Sequence, residues 1–185
     1  MIDIEQWKNN LEKSRRMKDE FFGSGHPQSP IPPMQLSEFK GLDYYPPHPE
    51  FRFELDLNEH KDKETLRVQD SKGGERKLIR WGEFKFHING KDCTLQAYKS
   101  NPQEKRLFIP LRDETSGKET YGAGRYLDLD PDRHKTADGK WIVDFNQAYN
   151  PWCAYSEMFV CPFVPPENWL EVPILAGEKD YPLHS

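Results

Sequence analysis

The side chains best able to do chemistry crowd into one stretch of the chain, from Asp113 to Tyr155. It holds Arg125 and Tyr126 in a strand-like segment, Asp144 and Asn146 on either side of Phe145, and then Tyr149, Asn150, Cys153 and Tyr155. By the two-residue alternation of a strand, Asp144 and Asn146 share one face and Phe145 takes the other. An arginine opposite such a pair offers a planar fork of donors to a small anion or carboxylate. The same residues equally make an internal salt bridge that pins the chain. For catalysis, Cys153 is the candidate nucleophile and Asp144 the candidate general base of a hydrolase or isomerase, with Arg125 stabilising developing negative charge. No histidine stands next to Cys153 in sequence to activate it. For binding, Arg125, Asp144, Asn146 and Asn150 would hold a small polar or anionic ligand, and Tyr126, Tyr149 and Tyr155 would wall it with hydroxyl handles.

Other chemistries lack their signatures. The chain has no phosphate-binding Walker loop, no His-Glu-x-x-His, no Gly-x-Ser-x-Gly and no paired Cys-x-x-Cys. Gly122-Ala123-Gly124 lacks the third glycine of the dinucleotide pattern and sits in a strand-like segment, which points to a bulge or a close backbone approach. The six histidines, His26, His48, His60, His87, His134 and His184, are scattered, so no metal site is expected. Cys93, Cys153 and Cys161 are read as free thiols, with Cys153 and Cys161 the one pair able to close a short loop under oxidising conditions.

The elements that must position these groups are mainly strands. Ile4, Trp7, Leu11, Met17 and Phe21 are spaced for one N-terminal helix over 1–22 that ends at Gly23. Residues 23–50 are rich in proline and read as an extended wrapping segment. From Phe51 the alternation Phe51, Phe53, Leu55, Leu57 marks a half-buried strand. Similar segments follow at 65–69, 76–81, 83–88, 91–98, 106–111, 120–127 and 140–144, about eight strands in all. Asn89-Gly90 suits a type I′ hairpin, Asp138-Gly139 suggests a second such turn, and Gly82 marks a bulge. The expected architecture is one mainly β domain over 1–185, an antiparallel barrel or sandwich spanning 51–145. A proline-rich tail, 146–185, would pack over it through Trp152, Phe159, Phe163 and Trp169.

Composition narrows the partners. The 185 residues carry 26 Lys and Arg against 31 Asp and Glu, a formal net charge of −5, which disfavours nucleic acid and anionic lipid. No apolar run is long enough to span a bilayer, and the first residues lack a secretory pattern, so a cytoplasmic location is expected. Aromatic residues make up 13% of the chain, far too many for a disordered polar polymer.

Four stretches together carry a family resemblance. They are Phe108-Ile-Pro-Leu-Arg-Asp-Glu-Thr-Ser-Gly with Glu119-Thr-Tyr-Gly-Ala-Gly-Arg-Tyr-Leu, then Asp144-Phe-Asn-Gln-Ala-Tyr-Asn-Pro-Trp-Cys-Ala-Tyr, then Cys161-Pro-Phe-Val-Pro-Pro-Glu-Asn-Trp-Leu, and Ile174-Leu-Ala-Gly-Glu-Lys. They resemble the bacterial and archaeal proteins grouped as domain of unknown function 1684. Phe39-Lys-Gly-Leu-Asp-Tyr-Tyr-Pro-Pro is similar to the segment that opens that family's β-rich region, so the resemblance runs from about residue 39 to 179. It implies no reaction, substrate or cofactor. Trp152 and Phe163 stand where the family pattern has Pro and Leu, larger groups beside the same polar frame.

The leading expectation is a β-barrel-like module that binds a small molecule between sheet and tail. A hydrolase or isomerase using Cys153 or Asp144 is the second reading. The third is a structural or protein-interaction domain, with a homodimer as one form of it.

Overall fold

Asp3 caps the first helix, its Oδ1 accepting the amide of Gln6 at 3.1 Å, and α1 (Ile4–Gly23) follows. The computed structural model describes residues 2–183; His184 lies outside them. The inward stripe of α1 is Trp7, Leu11, Arg15, Lys18 and Phe22, spaced four, four, three and four residues apart. Ile4, Met17 and Phe21, expected to face inward with Trp7 and Leu11, are exposed instead. The physical reason is the surface beneath, which presents carboxylates and carbonyls and therefore takes Arg15 and Lys18 between the apolar ends of the stripe.

The proline-rich segment then wraps the molecule through two short 3-10 turns, Pro33–Gln35 and Pro49–Phe51, and buries Ile31, Tyr45 and Phe51. Eight strands follow: β1 (Arg52–Leu55), β2 (Asn58–Glu59), β3 (Thr65–Gln69), β4 (Glu75–Ile88), β5 (Lys91–Lys99), β6 (Leu107–Leu111), β7 (Arg125–Leu129) and β8 (Trp141–Asp144). A one-turn helix, α2 (Pro131–His134), joins the last two. All pairings between the strands are antiparallel. The main sheet runs β2-β4-β5-β6-β7 with β3 also on β4, while β1 and β8 form a second, two-stranded sheet.

The strands and turns differ from expectation for local reasons, and the short β2 was not expected. The segments 76–81 and 83–88 are one strand, β4, with a bulge at Arg80/Gly82. The extra residue flips the strand's faces: Leu78 packs with Val68 and Tyr98, whereas Phe84, Phe86 and Ile88 enter the main core. The strand expected from Thr120 begins only at Arg125, because Thr115 to Gly124 is held in turns. Asn89 and Gly90 both have positive φ, as a type I′ turn requires, but at Asp138-Gly139 only the glycine does, so that turn is of another type.

The main core unites both sheets with the tail, packing Phe84, Leu95, Ile109, Leu127, Val143 and Phe145 against Val172 and Ile174. Trp152, Phe163 and Trp169 are not the anchors of that tail; they are exposed. Trp152 rests on Phe159 and Trp169 lies under the Arg112 guanidinium, so partial cover comes from neighbours rather than from the sheet. The close approach expected near Gly122-Ala123-Gly124 is at Gly124, whose φ is +100° and where a Cβ would stand 2.5 Å from the Leu111 carbonyl oxygen. No helix among the described residues is long and apolar enough to cross a membrane.

Candidate functional site

The polar frame anticipated from Arg125, Asp144 and Asn146 divides in two. Arg125 opens β7 with only 1% of its surface exposed, and it faces Asp113, not Asp144. Its Nη2 donates to Asp113 Oδ2 at 2.7 Å and to the Ile174 carbonyl at 3.0 Å. Its Nη1 donates to the carbonyls of Ala176 and Glu178. One guanidinium thus binds three alternate carbonyls of the tail and a buried carboxylate, which fastens the tail to the sheet.

Asp144 ends β8 and joins a different group. Its Oδ1 accepts the backbone amide and the side-chain amide of Asn146, at 3.0 and 2.8 Å. Its Oδ2 accepts the Trp7 indole N–H from α1 at 2.8 Å. Asn146 then exchanges two hydrogen bonds with the backbone of His48. Both oxygens of Asp144, the candidate general base, are thus occupied by protein donors.

A third group centres on Glu178, which lies in the Ile174-Leu-Ala-Gly-Glu-Lys stretch and had no role assigned to it from sequence. Its carboxylate is buried and receives Lys18 Nζ on Oε1, and the Asn150 amide and the Tyr155 hydroxyl on Oε2 at 2.7 and 2.5 Å. Burial and this carboxylate push the Tyr155 phenol well above its ordinary pKa. Lys18 also lies over the Tyr149 ring, 5.3 Å from its centre. Tyr149 donates its hydroxyl to Asp128, and Tyr126, on the neighbouring backbone bridge, donates to the Pro162 carbonyl.

Tyr149 and Asp144 are the members of the expected set that border open space. A cleft of about 680 Å³ lies between α1 and strands β7 and β8. On its sheet side Ile142 is partly exposed while Leu127 and Leu129 are buried in the main core, and Trp7 and Tyr149 supply aromatic surface. Gln6, Asn10 and Gln147 bring amides, and Arg52, Arg133 and His134 bring basic groups. Arg52 is paired with Glu54 at 2.9 Å and stands across from Asp144 in the β1–β8 register. Arg133 is exposed, and among the described residues no carboxylate pairs with it.

The cysteines also sort themselves. Cys153 and Cys161 are neighbours: the Cys153 amide donates to Cys161 Sγ at 3.3 Å, and the Tyr121 hydroxyl lies 3.8 Å from Cys153 Sγ. The Cys153 thiol hydrogen-bonds the Cys161 sulfur, which keeps Cys153 protonated and raises its pKa. The same bond, with backbone N–H donors from Cys153 and Trp152, lowers the Cys161 thiol to about 7. Of the two sulfurs, Cys161 is the more buried and accepts a backbone N–H, while Cys153, the nucleophile expected from sequence, is the more accessible. Among the described residues no group of three metal-binding side chains assembles.

These features define a mainly β protein whose helix and tail close over two antiparallel sheets, with a cleft under the helix. Residues 37–179 match the family described as Protein of unknown function (DUF1684), and the chain belongs to that family. It is similar to the uncharacterized protein of Haloarcula marismortui known from a solution NMR structure, at 38% identity and a TM-score of 0.73, over 98% of each chain. No curated protein matches it.

Proposed function

We propose that this protein binds a small polar ligand in the cleft between α1 and strands β7 and β8. The observation that carries the reading is the cleft's combination of two aromatic side chains, Trp7 and Tyr149, the partly exposed Ile142 and amide and guanidinium donors, a mixture of apolar surface and convergent polar groups that suits a small polar molecule. Both Asp144 oxygens and Asp128 Oδ2 already accept protein donors, so these carboxylates orient Trp7 and Tyr149. Arg133, without an ion pair among the described residues, is the natural partner of an anionic group on that ligand. Arg125, Asn146, Asn150, Tyr126 and Tyr155 stand outside the cleft lining, and their hydrogen bonds hold the tail and the wrapping segment in place.

A thermal-shift screen against a metabolite library tests this, run in parallel on the native chain and on Arg133→Ala. Ligand binding to the folded state alone raises Tm by mass action. The reading expects compounds that stabilise the native chain and act less on the variant, whose exposed position leaves the fold untouched. Compounds that stabilise both proteins equally, or none at all, would count against it.

A further inference from the structure

Lys99, the last residue of β5, is a buried cation without a counter-charge in contact. Only 9% of its surface is exposed, and among the described residues no carboxylate lies within ion-pair distance of its ammonium. Its Nζ sits over the Trp81 ring, 3.7 Å from the centre. Glu59 and Glu104 act on it from farther away, but Glu59 is joined to Lys63, and Glu104 accepts both the amide and the hydroxyl of Ser100. Burial prevails and draws the Lys99 pKa down from its ordinary value, with Lys63 adding to the effect.

The ammonium borders a second cleft, of about 380 Å³, whose lining shares no residue with the cleft under α1. Lys105 and Lys135 reach it from exposed positions, and Lys135 stands over the Trp141 ring at 4.9 Å. Its two acidic residues are Asp56 and Glu59. Three ammonium groups thus meet two carboxylates there, one of which is already committed to Lys63. Taking a charge out of water is costly unless an opposite charge arrives, and the side of Lys99 open to the cleft is where one can arrive.

We propose that this second cleft is an anion site that takes a phosphate or carboxylate group attached to a flat apolar body. The anionic group meets Lys99 with help from Lys105 and Lys135, and the body lies against the half-buried Trp81, beside the ammonium that stands over its ring. A bare inorganic anion would use the lysines and make no contact with the exposed part of Trp81, so the two parts of the proposal separate experimentally.

The test is a titration of isotopically labelled protein with phenyl phosphate and, in parallel, with inorganic phosphate at constant ionic strength, following the indole N–H signals of Trp81 and Trp141. Saturable shifts of both signals with phenyl phosphate are expected, with inorganic phosphate weaker by at least about tenfold. Lys99→Met should weaken phenyl phosphate by at least about tenfold, the loss of one hydrogen bond to a charged group. That variant exchanges an unpaired buried charge for an apolar chain of similar length and is expected to fold. Should it not, Lys135→Ala, at an exposed position, replaces it and is expected to weaken binding severalfold. Absence of saturable shifts, or undiminished binding by the folded variant, overturns the site. Equal binding of the two phosphates overturns the apolar part of the ligand.

Discussion

Lys18 on α1 and Glu178 in the tail form an ion pair, and through it the two ends of the chain close over each other. The Glu178 side chain is 2% exposed and that of Lys18 28%, so the pair is shielded on the carboxylate side and open on the other. Arg15, one turn earlier, donates to the carbonyls of Tyr45 and Asn146. The helix that roofs the first cleft is therefore held by these polar contacts together with its buried Leu11 and Phe22.

Lys18→Ala removes one of three donors from a buried carboxylate. A loss of about 1–3 kcal/mol is expected, since the Asn150 and Tyr155 bonds remain. Urea unfolding measures it, and α1 should become more open to limited proteolysis under native conditions.

Asp113→Ala strips the Arg125 guanidinium of its carboxylate while leaving it buried, and should cost about 3–5 kcal/mol in the same assay. Glu75→Ala, which breaks the exposed Arg67–Glu75 contact, should change stability by less than about 0.5 kcal/mol. Similar effects from the two substitutions would contradict the role given to Arg125.

Alkaline pH should unfold the protein through its tyrosines. Burial raises the phenol pKa values of Tyr126, Tyr149 and Tyr155 above the ordinary 10.0. Well below pH 10 both folded and unfolded chains keep these protons, and the phenols add no pH dependence. Above it the unfolded chain releases them while the folded chain does not, so the unfolded state binds fewer protons and stability falls, by up to about 1.4 kcal/mol per pH unit for each such tyrosine. Phenolate absorbance from these residues should accompany unfolding rather than precede it.

Thiol alkylation in the folded protein should mark Cys161 ahead of Cys153, with a rate that rises as pH passes through about 7. Cys93, raised by burial, should lag behind. Peptide mapping after brief iodoacetamide treatment distinguishes the three. In Cys153→Ser, where a hydroxyl replaces the thiol donor, the pH profile of Cys161 should shift, which a purely steric role for Cys153 would not produce.

Much of the β framework was legible because alternation and turn chemistry are local signals: the first core strand, the Asn89-Gly90 hairpin and the Gly82 bulge all announce themselves over a few residues. The polar sites were less so, because their partners lie far apart in sequence. Alternation over 144–146 sets Asp144 and Asn146 on one face for Arg125 to oppose, yet the phase of β6 favours Asp113. Leu107, Ile109, Leu111 and Asp113 alternate on one face of β6 and its extension, and Arg125 stands opposite Leu111 in the register with β7. The same phase reaches Glu178, two residues beyond the inward series Val172, Ile174 and Ala176. On α1 the spacing of Trp7, Leu11, Arg15, Lys18 and Phe22 is as regular as any apolar stripe, but a search for hydrophobic residues alone passes over its two cations. The cleft itself leaves no mark in any single segment, since α1, β7 and β8 each supply part of it.

The central claim, a ligand site under α1, is tested most directly by chemical-shift mapping of the strongest stabilising compound from the thermal screen. The account predicts perturbations concentrated on the Trp7 indole N–H and on the amides of Asn10, Asp128 and Ile142, saturating with one affinity and weakened in Arg133→Ala. Perturbations that gather elsewhere on the protein and leave the Trp7 indole signal unmoved would contradict it.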